Sequence, residues 1–311
     1  MDLKRAQGWT AEPVTFPVGE RLCVPAYARA LGLDDPALCR LDAAREAGWR
    51  GRPVPPTMYA FFHVVPTHVL TEELGFTWGR TLGAAVEFEA DGVSTDADEL
   101  RGTARVDAVW ERAGRDGVAR QFLRLTTDFV SADGTLVCRN RVLFLERQDR
   151  PVDEAFAADG EPPRHDHDRP VYRAAADSLS VEVGAELPAA ALGPVDRLML
   201  ARMSVAIDNP DPVHLDDAAA RAAGLPGVIG HGTTAVGMLF EPVRRWAGME
   251  RNVAARTTQG RPFGPGAVLS ATGRVVRLGS DGRGNVATCE TRLSDVDGSE
   301  IGRGTFDVLV G

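Results

Sequence analysis

The sequence predicts an α+β protein made of two tandem copies of one unit, each a helix with a mostly antiparallel sheet. Three observations predict this class: the length of 311 residues, a repeated loop-and-helix segment, and long alternating apolar and polar runs in both halves. Such a length suits two domains of roughly 150 residues. We expect the first unit at 1–150, a linker at 151–173 and the second unit at 174–311.

The repeat appears when the two halves are compared at a constant offset of 176 positions. Ala43–Gly48 reads AAREAG and falls on Ala219–Gly224, which reads AARAAG. Without a gap, Asp35 falls on Asp211. Because internal repeats settle the architecture, we interpret the chain as a tandem duplication.

The same offset reveals an asymmetry between the two halves. His214 falls on Leu38, and His231 falls on Pro55. The first half therefore keeps the repeated pattern but lacks both histidines. We expect the chemistry in the second half, with the first half supplying packing and a substrate channel.

Each half carries its elements in the same order. In the first half, the apolar stretch at 57–74 predicts a core helix, and alternating runs at 102–113 and 120–147 predict strands. In the second half, 233–248 predicts the helix, and 267–280 and 281–311 predict strands. The core face of the first helix, which could also line an acyl channel, comprises Tyr59, Phe61, Phe62, Val64 and Val65.

Composition narrows the function classes. The net charge of -9 comes without any basic run, which argues against nucleic acid as a partner. No window approaches the roughly 20 apolar residues that span a bilayer, and the N-terminus lacks the pattern of a signal peptide. We expect a cytoplasmic protein.

Cysteine and histidine spacing gives little support for a metal site. The four cysteines are far apart, which is typical of free thiols in a reducing compartment. His165 and His167 lie in the linker, which is rich in proline and charge, so we interpret them as solvated linker residues. The expectation is that the protein binds no metal.

Two short polar segments in the second half carry a family resemblance. One is Asp208-Asn209-Pro210-Asp211-Pro212-Val213-His214, and the other is Ile229-Gly230-His231-Gly232-Thr233-Thr234. With Arg261–Leu269, they resemble the MaoC-like (R)-specific enoyl-CoA hydratases and 3-hydroxyacyl-thioester dehydratases. The resemblance implies a double hot-dog fold, in which each curved sheet wraps a long helix and the first repeat has lost its catalytic residues.

The first segment departs from the family motif, which runs Gly-Asp-x-Asn-Pro-(Ile/Leu)-His. Anchored on His214, the catalytic Asp of the family falls on Asn209, and its Asn falls on Asp211. The Gly falls on Asp208. The identity of the carboxylate partner of His214 is therefore open between Asp211 and Asp208, and Asp35 in the other repeat indicates that Asp211 also has a turn-forming role.

The resemblance also implies roles for the remaining residues. His214 is expected to be the acid/base residue, and the alternative is that it is an ordinary surface-loop histidine. Asn209 is expected to orient water or substrate. The Gly232 backbone N–H binds the thioester oxygen at the start of a helix, which His231 helps to shape and which Thr233 and Thr234 can cap. Asp216 and Asp217 are expected to begin the preceding short helix.

These residues predict a hydro-lyase that hydrates a 2-enoyl thioester, or dehydrates a 3-hydroxyacyl thioester, without a cofactor. The thioester is carried on CoA or acyl carrier protein; Arg256 and Arg261 could bind its phosphate, as could any surface arginine. Two alternatives stay open: a thioester isomerase or specialised dehydratase of secondary metabolism, and a non-catalytic acyl-binding subunit. A monomer and a homodimer are both compatible with the repeat.

Overall fold

The computed structural model describes residues 1–77, 80–162, 179, 181–251, 253–281 and 284–311. The helices are α1 (Leu3–Ala6), α2 (Val18–Arg21), α3 (Val24–Ala30), α4 (Pro36–Cys39), α5 (Leu41–Glu46), α6 (Thr67–Glu72), α7 (Arg197–Ala206), α8 (Asp217–Ala222) and α9 (Gly232–Ala247). The strands are β1 (Val14–Pro17), β2 (Leu82–Ala90), β3 (Glu99–Ala113), β4 (Ala119–Ser131), β5 (Leu136–Arg147), β6 (Ala190–Leu192), β7 (Val253–Gln259), β8 (Leu269–Asp281), β9 (Gly284–Asp295) and β10 (Glu300–Leu309). Three short 3-10 helices lie at Pro56–Tyr59, Glu154–Phe156 and Pro212–His214.

One continuous sheet joins the two halves. Within the described residues its order is β1-β3-β4-β5-β2-β7-β10-β9-β8-β6, so each half contributes five strands in the same relative order. The halves meet where β2 pairs antiparallel with β7, with Val86 opposite Thr257. The α+β class and the repeat are therefore confirmed, since one strand topology occurs twice along the chain.

Helix α9 is the central helix of the second half. It begins at Gly232, ends before Gly248, which has a φ of 84°, and buries most of its residues against the sheet. Glycine is favoured at Gly248 because a side chain is disfavoured at positive φ. The apolar stripe on α9 thus fixes its N-terminus beside the loop that carries the predicted site.

The first half does not contain the matching helix that the sequence predicted over 57–74. The stretch forms the 3-10 helix Pro56–Tyr59, an irregular segment and then α6. Pro66 is the physical reason, because proline lacks an N–H and excludes the helical conformation from the preceding residue. The predicted core residues are nevertheless buried: Tyr59, Phe61, Phe62, Val64 and Val65.

Two hairpins, one in each half, agree with the alternating pattern. Strands β4 and β5 pair on either side of the predicted turn at Ala132–Gly134. Strands β8 and β9 pair up to Asp281 opposite Gly284, and the two residues of that turn lie outside the described residues. None of the described helices is long and apolar enough to cross a membrane.

The described part of the predicted linker contacts the sheet. Ala157 forms a bridge with Glu111 of β3. The Glu161 carboxylate pairs with Arg124 at 2.9 Å and with Arg256 at 3.1 Å. Residues 163–178, with His165 and His167, lie outside the described residues.

Candidate active site

The loop after α7 has the same backbone design as its counterpart in the first half. The Asp211 carboxylate accepts a hydrogen bond from the Val213 N–H at 3.1 Å, and Asp35 accepts one from the Ala37 N–H at 3.0 Å. Each carboxylate closes a turn that starts a short helix. One oxygen of Asp211 therefore holds the loop in shape, as the repeat indicated.

Asp208 precedes this turn and contacts the first half of the chain. It has a φ of 49°, close to the 62° of Gly32 at the equivalent position in the first half. Its carboxylate pairs with the Arg21 Nε at 2.5 Å, and its side chain is 48% exposed. Asp208 does not line the pocket that contains His214.

His214 ends the 3-10 helix at Pro212–His214, and its ring is fixed by one backbone contact. Its Nδ1 lies 2.9 Å from the Ile229 carbonyl oxygen. Because a carbonyl only accepts, Nδ1 carries the hydrogen and Nε2 keeps its lone pair. Burial lowers the pKa of His214, opposed by the Ile229 carbonyl and by the nearby Asp211 carboxylate. His214 is thus a neutral imidazole whose Nε2 can accept a proton.

His231 lies against His214. The ring centroids are 3.7 Å apart, and the planes are inclined by 27°. His231 Nε2 makes a 2.9 Å hydrogen bond with the Ser204 hydroxyl, and the residue is buried. Burial and then the charge of His214 hold the pKa of His231 well below its usual value. His231 therefore packs on the His214 ring, and a positive charge on one ring disfavours a positive charge on the other.

The N-terminus of α9 follows directly after His231. His231 is the N-cap residue of α9, and no side chain caps this helix end. The first-turn N–H groups of a helix lack intrahelical partners and carry the positive end of its dipole. Within the described residues, the buried Thr233 hydroxyl oxygen also lacks a hydrogen-bond partner. Gly232 and Thr233 thus provide donors suited to a developing negative charge.

One pocket brings these groups together. Its volume is about 180 Å³, and both halves of the chain line it. The second half contributes Asn209, Asp211, His214, His231, Gly232 and Thr233, among others. The first half contributes Phe61, His63, Thr81, Leu82, Gly83 and Phe144. The structure therefore unites every predicted site residue except Asp208.

Asn209 is oriented within its own turn. Its side-chain Oδ1 accepts from the Asp211 N–H at 3.3 Å. This contact orients the amide, whose Nδ2 hydrogens are the groups that can donate to a ligand. Asn209 cannot act as a base, but it can orient a water molecule.

His63 lines the same pocket, which the sequence analysis did not anticipate. It comes from the irregular segment of the first half, and burial lowers its pKa to about 4. Its ring lies 5.9 Å from that of Phe144. In the sequence, His63 stands out only as the single polar residue between Phe62 and Val64. The helix predicted over 57–74 did not indicate that this position would face the second half of the chain.

The equivalent position in the first half is filled. Leu38, at the place of His214, is completely buried, and Pro55, at the place of His231, is also buried. The Tyr27 hydroxyl bonds to the Thr57 hydroxyl at 2.6 Å in the same region. The first repeat thus packs this region with apolar side chains and a closed hydroxyl pair.

The two arginines considered for phosphate binding lie in different places. Arg261 lines the pocket, is largely exposed, and bonds to the Ser299 hydroxyl at 2.9 Å. Arg256 instead lies on β7, where it pairs with Glu87 of β2 at 2.8 Å and with Glu161 of the linker at 3.1 Å. Arg261 is therefore the one of the two that can meet a ligand in this pocket.

Solved structures share this architecture along the full chain. A structure described as a MaoC-like dehydratase matches with a TM-score of 0.74 at 20% identity, with 98% of each chain covered. A conserved hypothetical protein from Mycobacterium tuberculosis, described as having a double hotdog fold, matches with a TM-score of 0.59 at 13% identity, over 97% of this chain and 96% of that one. The chain has a double hot-dog fold.

Other comparisons agree with this double hot-dog assignment. A MaoC-like dehydratase from Phytophthora capsici matches with a TM-score of 0.66 at 14% identity, over 99% of both chains. Residues 5–140 match the family described as FAS1-like, dehydratase domain region. No curated protein matches the chain. The predicted resemblance to MaoC-like dehydratases is confirmed, and the family match falls on the repeat that lacks the histidine pair.

Proposed function

We propose that the protein is a hydro-lyase that interconverts a 2-enoyl thioester and a 3-hydroxyacyl thioester. The observation that carries this proposal is the geometry of His214, whose Nδ1–H is held by the Ile229 carbonyl while Nε2 stays available in a pocket beside the start of α9. A base next to backbone donors is what water addition to an enoyl thioester requires.

In the hydration direction, water gives a proton to His214 Nε2 while its oxygen bonds to Cβ of the substrate. The electron pair of the double bond moves onto the thioester oxygen, where the Gly232 N–H and the dipole of α9 stabilise the negative charge. The His214 imidazolium then returns the proton to Cα, and the thioester carbonyl reforms. The balance is the addition of one water molecule, and His214 ends neutral.

We assign the carboxylate role to Asp211 rather than Asp208. Asp211 lines the pocket and raises the pKa of His214, so it stabilises the imidazolium that forms during the reaction. Asp208 pairs with Arg21 outside the pocket. Asn209 then orients the attacking water through its Nδ2 group.

A second candidate is a non-catalytic acyl-thioester-binding subunit. The observation in its favour is Asn209, which stands where the resembling family has its catalytic Asp. An amide cannot accept the proton from water, so the alternative requires that His214 and Asp211 do not replace that carboxylate. A related isomerase or specialised dehydratase would use the same pocket but a different proton path.

The test is the hydration of crotonyl-CoA and of the crotonyl group on acyl carrier protein. The reaction is monitored by the loss of enoyl-thioester absorbance. Wild type should add the mass of water to the product, His214→Ala should not, and His68→Ala, an exposed histidine on α6, should match wild type. A shifted double bond without added water would identify an isomerase, and release of free thiol a thioesterase.

Binding of an acyl thioester without turnover by wild type would support the subunit alternative. Full activity of His214→Ala would refute the assigned site.

A further inference from the structure

We infer that Phe61, a residue of the first repeat, ends the acyl pocket and restricts the protein to short acyl groups. The inference rests on the proposed function and names the substrate class of the same site. Phe61 lines the pocket, is 8% exposed, and follows the 3-10 helix Pro56–Tyr59.

The ring of Phe61 is held between two glycines. A Cβ on Gly83 of β2 would lie 2.7 Å from Phe61 Cζ, and a Cβ on Gly232 would lie 2.8 Å from the same atom. Carbon atoms do not approach so closely, so these two positions accept Phe61 because they have no side chain. The ring therefore abuts the α9 N-terminus, where the thioester oxygen is proposed to bind.

A second aromatic ring, Phe263, packs against the same loop. A Cβ on Gly230 would lie 2.8 Å from Phe263 Cδ2, and the Gly230 N–H donates to the Phe263 carbonyl at 2.7 Å. Phe61 and Phe263 thus flank the segment that carries His231. Both rings line the pocket.

The residues on either side of Phe61 in the sequence belong to an aromatic cluster in the core of the first half. Tyr59 lies 4.6 Å from Phe129, and Phe62 lies 5.4 Å from Phe16, measured between ring centroids. All four side chains are buried. The first half therefore packs this part of its core with aromatic side chains.

The pocket volume agrees with this limit. Its volume is about 180 Å³, and a protein cavity of about 150 Å³ holds a molecule the size of benzene. The reacting carbons and the attacking water share this space. An acyl group of the size of crotonyl matches this volume, and we expect a longer acyl group to require movement of Phe61.

The experiment compares Phe61→Leu and Phe61→Ala with the matched control Phe62→Leu. Phe62 is the adjacent buried phenylalanine and does not line the pocket. The substrates are crotonyl-CoA, trans-2-hexenoyl-CoA and trans-2-octenoyl-CoA, and kcat/KM is measured for each. Wild type and Phe62→Leu should prefer crotonyl-CoA. Phe61→Ala should shift the octenoyl-to-crotonyl ratio by at least about tenfold, since one methylene in an apolar pocket is worth about that factor.

Binding of butyryl-CoA and octanoyl-CoA, measured by calorimetry, provides a readout that does not depend on turnover. Wild type should bind butyryl-CoA more tightly, and Phe61→Ala should reverse the order. An unchanged order in folded Phe61→Leu and Phe61→Ala would overturn the inference, as would wild type that prefers octanoyl-CoA. Loss of turnover with the predicted binding order would refute only the proposed function.

Discussion

Replacement of His214 by Asn separates the proposed base from its structural contact. Asn can donate from Nδ2 to the Ile229 carbonyl, which His214 Nδ1 contacts at 2.9 Å, but it has no group at the place of Nε2. A positioned general base contributes about 10²–10⁴-fold in rate, which corresponds to about 3–5 kcal/mol of transition-state stabilisation. We expect kcat/KM of His214→Asn for crotonyl-CoA to fall by that factor.

Stability should change much less than activity. If Asn keeps the bond to Ile229, the free energy of unfolding should fall by no more than about 1–2 kcal/mol, mostly from the lost ring packing on His231. His214→Ala should cost more, because it leaves the Ile229 carbonyl without this donor. Urea unfolding of the three proteins measures the difference.

The pH dependence gives a second measurement on the same variant. Burial lowers the pKa of His214, so the neutral base persists below the usual histidine range and activity is lost only as the pH falls through this lowered value. Wild type should show this acidic limb, and His214→Asn should not. The pKa of His231, followed by NMR, should rise in the variant, since His214 lowers it. His214→Asn with kcat/KM near that of wild type, or with an unchanged acidic limb, would refute the reasoning.

Three further predictions concern the neighbouring groups. Gly232→Ala should lower kcat about 10²-fold or more and reduce the free energy of unfolding by about 1–3 kcal/mol, because the new alanine Cβ would meet Phe61. Steady-state kinetics and thermal unfolding measure the two effects. Asp211→Asn should lower kcat/KM at least about tenfold. It should also move the acidic limb of the pH profile to lower pH, since Asp211 raises the pKa of His214. An equal loss of kcat/KM in Asp208→Asn would contradict the assignment. Stability should fall as the pH drops from about 6.5 toward 4, because the unfolded chain binds a proton that the partly buried His63 does not. Urea unfolding at pH 5 should show a loss of about 2 kcal/mol from His63. His63→Gln should remove that part and leave the loss of the same sign from His214 and His231.

The repeat was readable from the sequence because it is a local pattern. The offset of 176 positions places α5 on α8 residue for residue, and it pairs Asp35 with Asp211, whose carboxylates make the same backbone contact. The missing first-half helix was not readable in the same way. The apolar period over 57–74 is helical, but Pro66 interrupts the backbone within it.

The roles of the two candidate carboxylates needed the folded chain. In sequence, Asp208 and Asp211 both lie near His214. Asp208 pairs with Arg21, a residue 187 positions earlier. Sequence spacing near His214 cannot reveal this contact, since its partner lies in the other half of the chain.

The sequence by itself determined the fold class, the duplication and the half that carries the histidine pair, because these depend on periodicity and on residue identity within short segments. Only the tertiary structure decided that His63 and Phe61 of the first repeat line the same pocket as His214. These contacts arise where the sheet joins the halves and where α9 packs beside an irregular segment. The composition of a pocket depends on which distant segments the core brings together, and no local pattern records that.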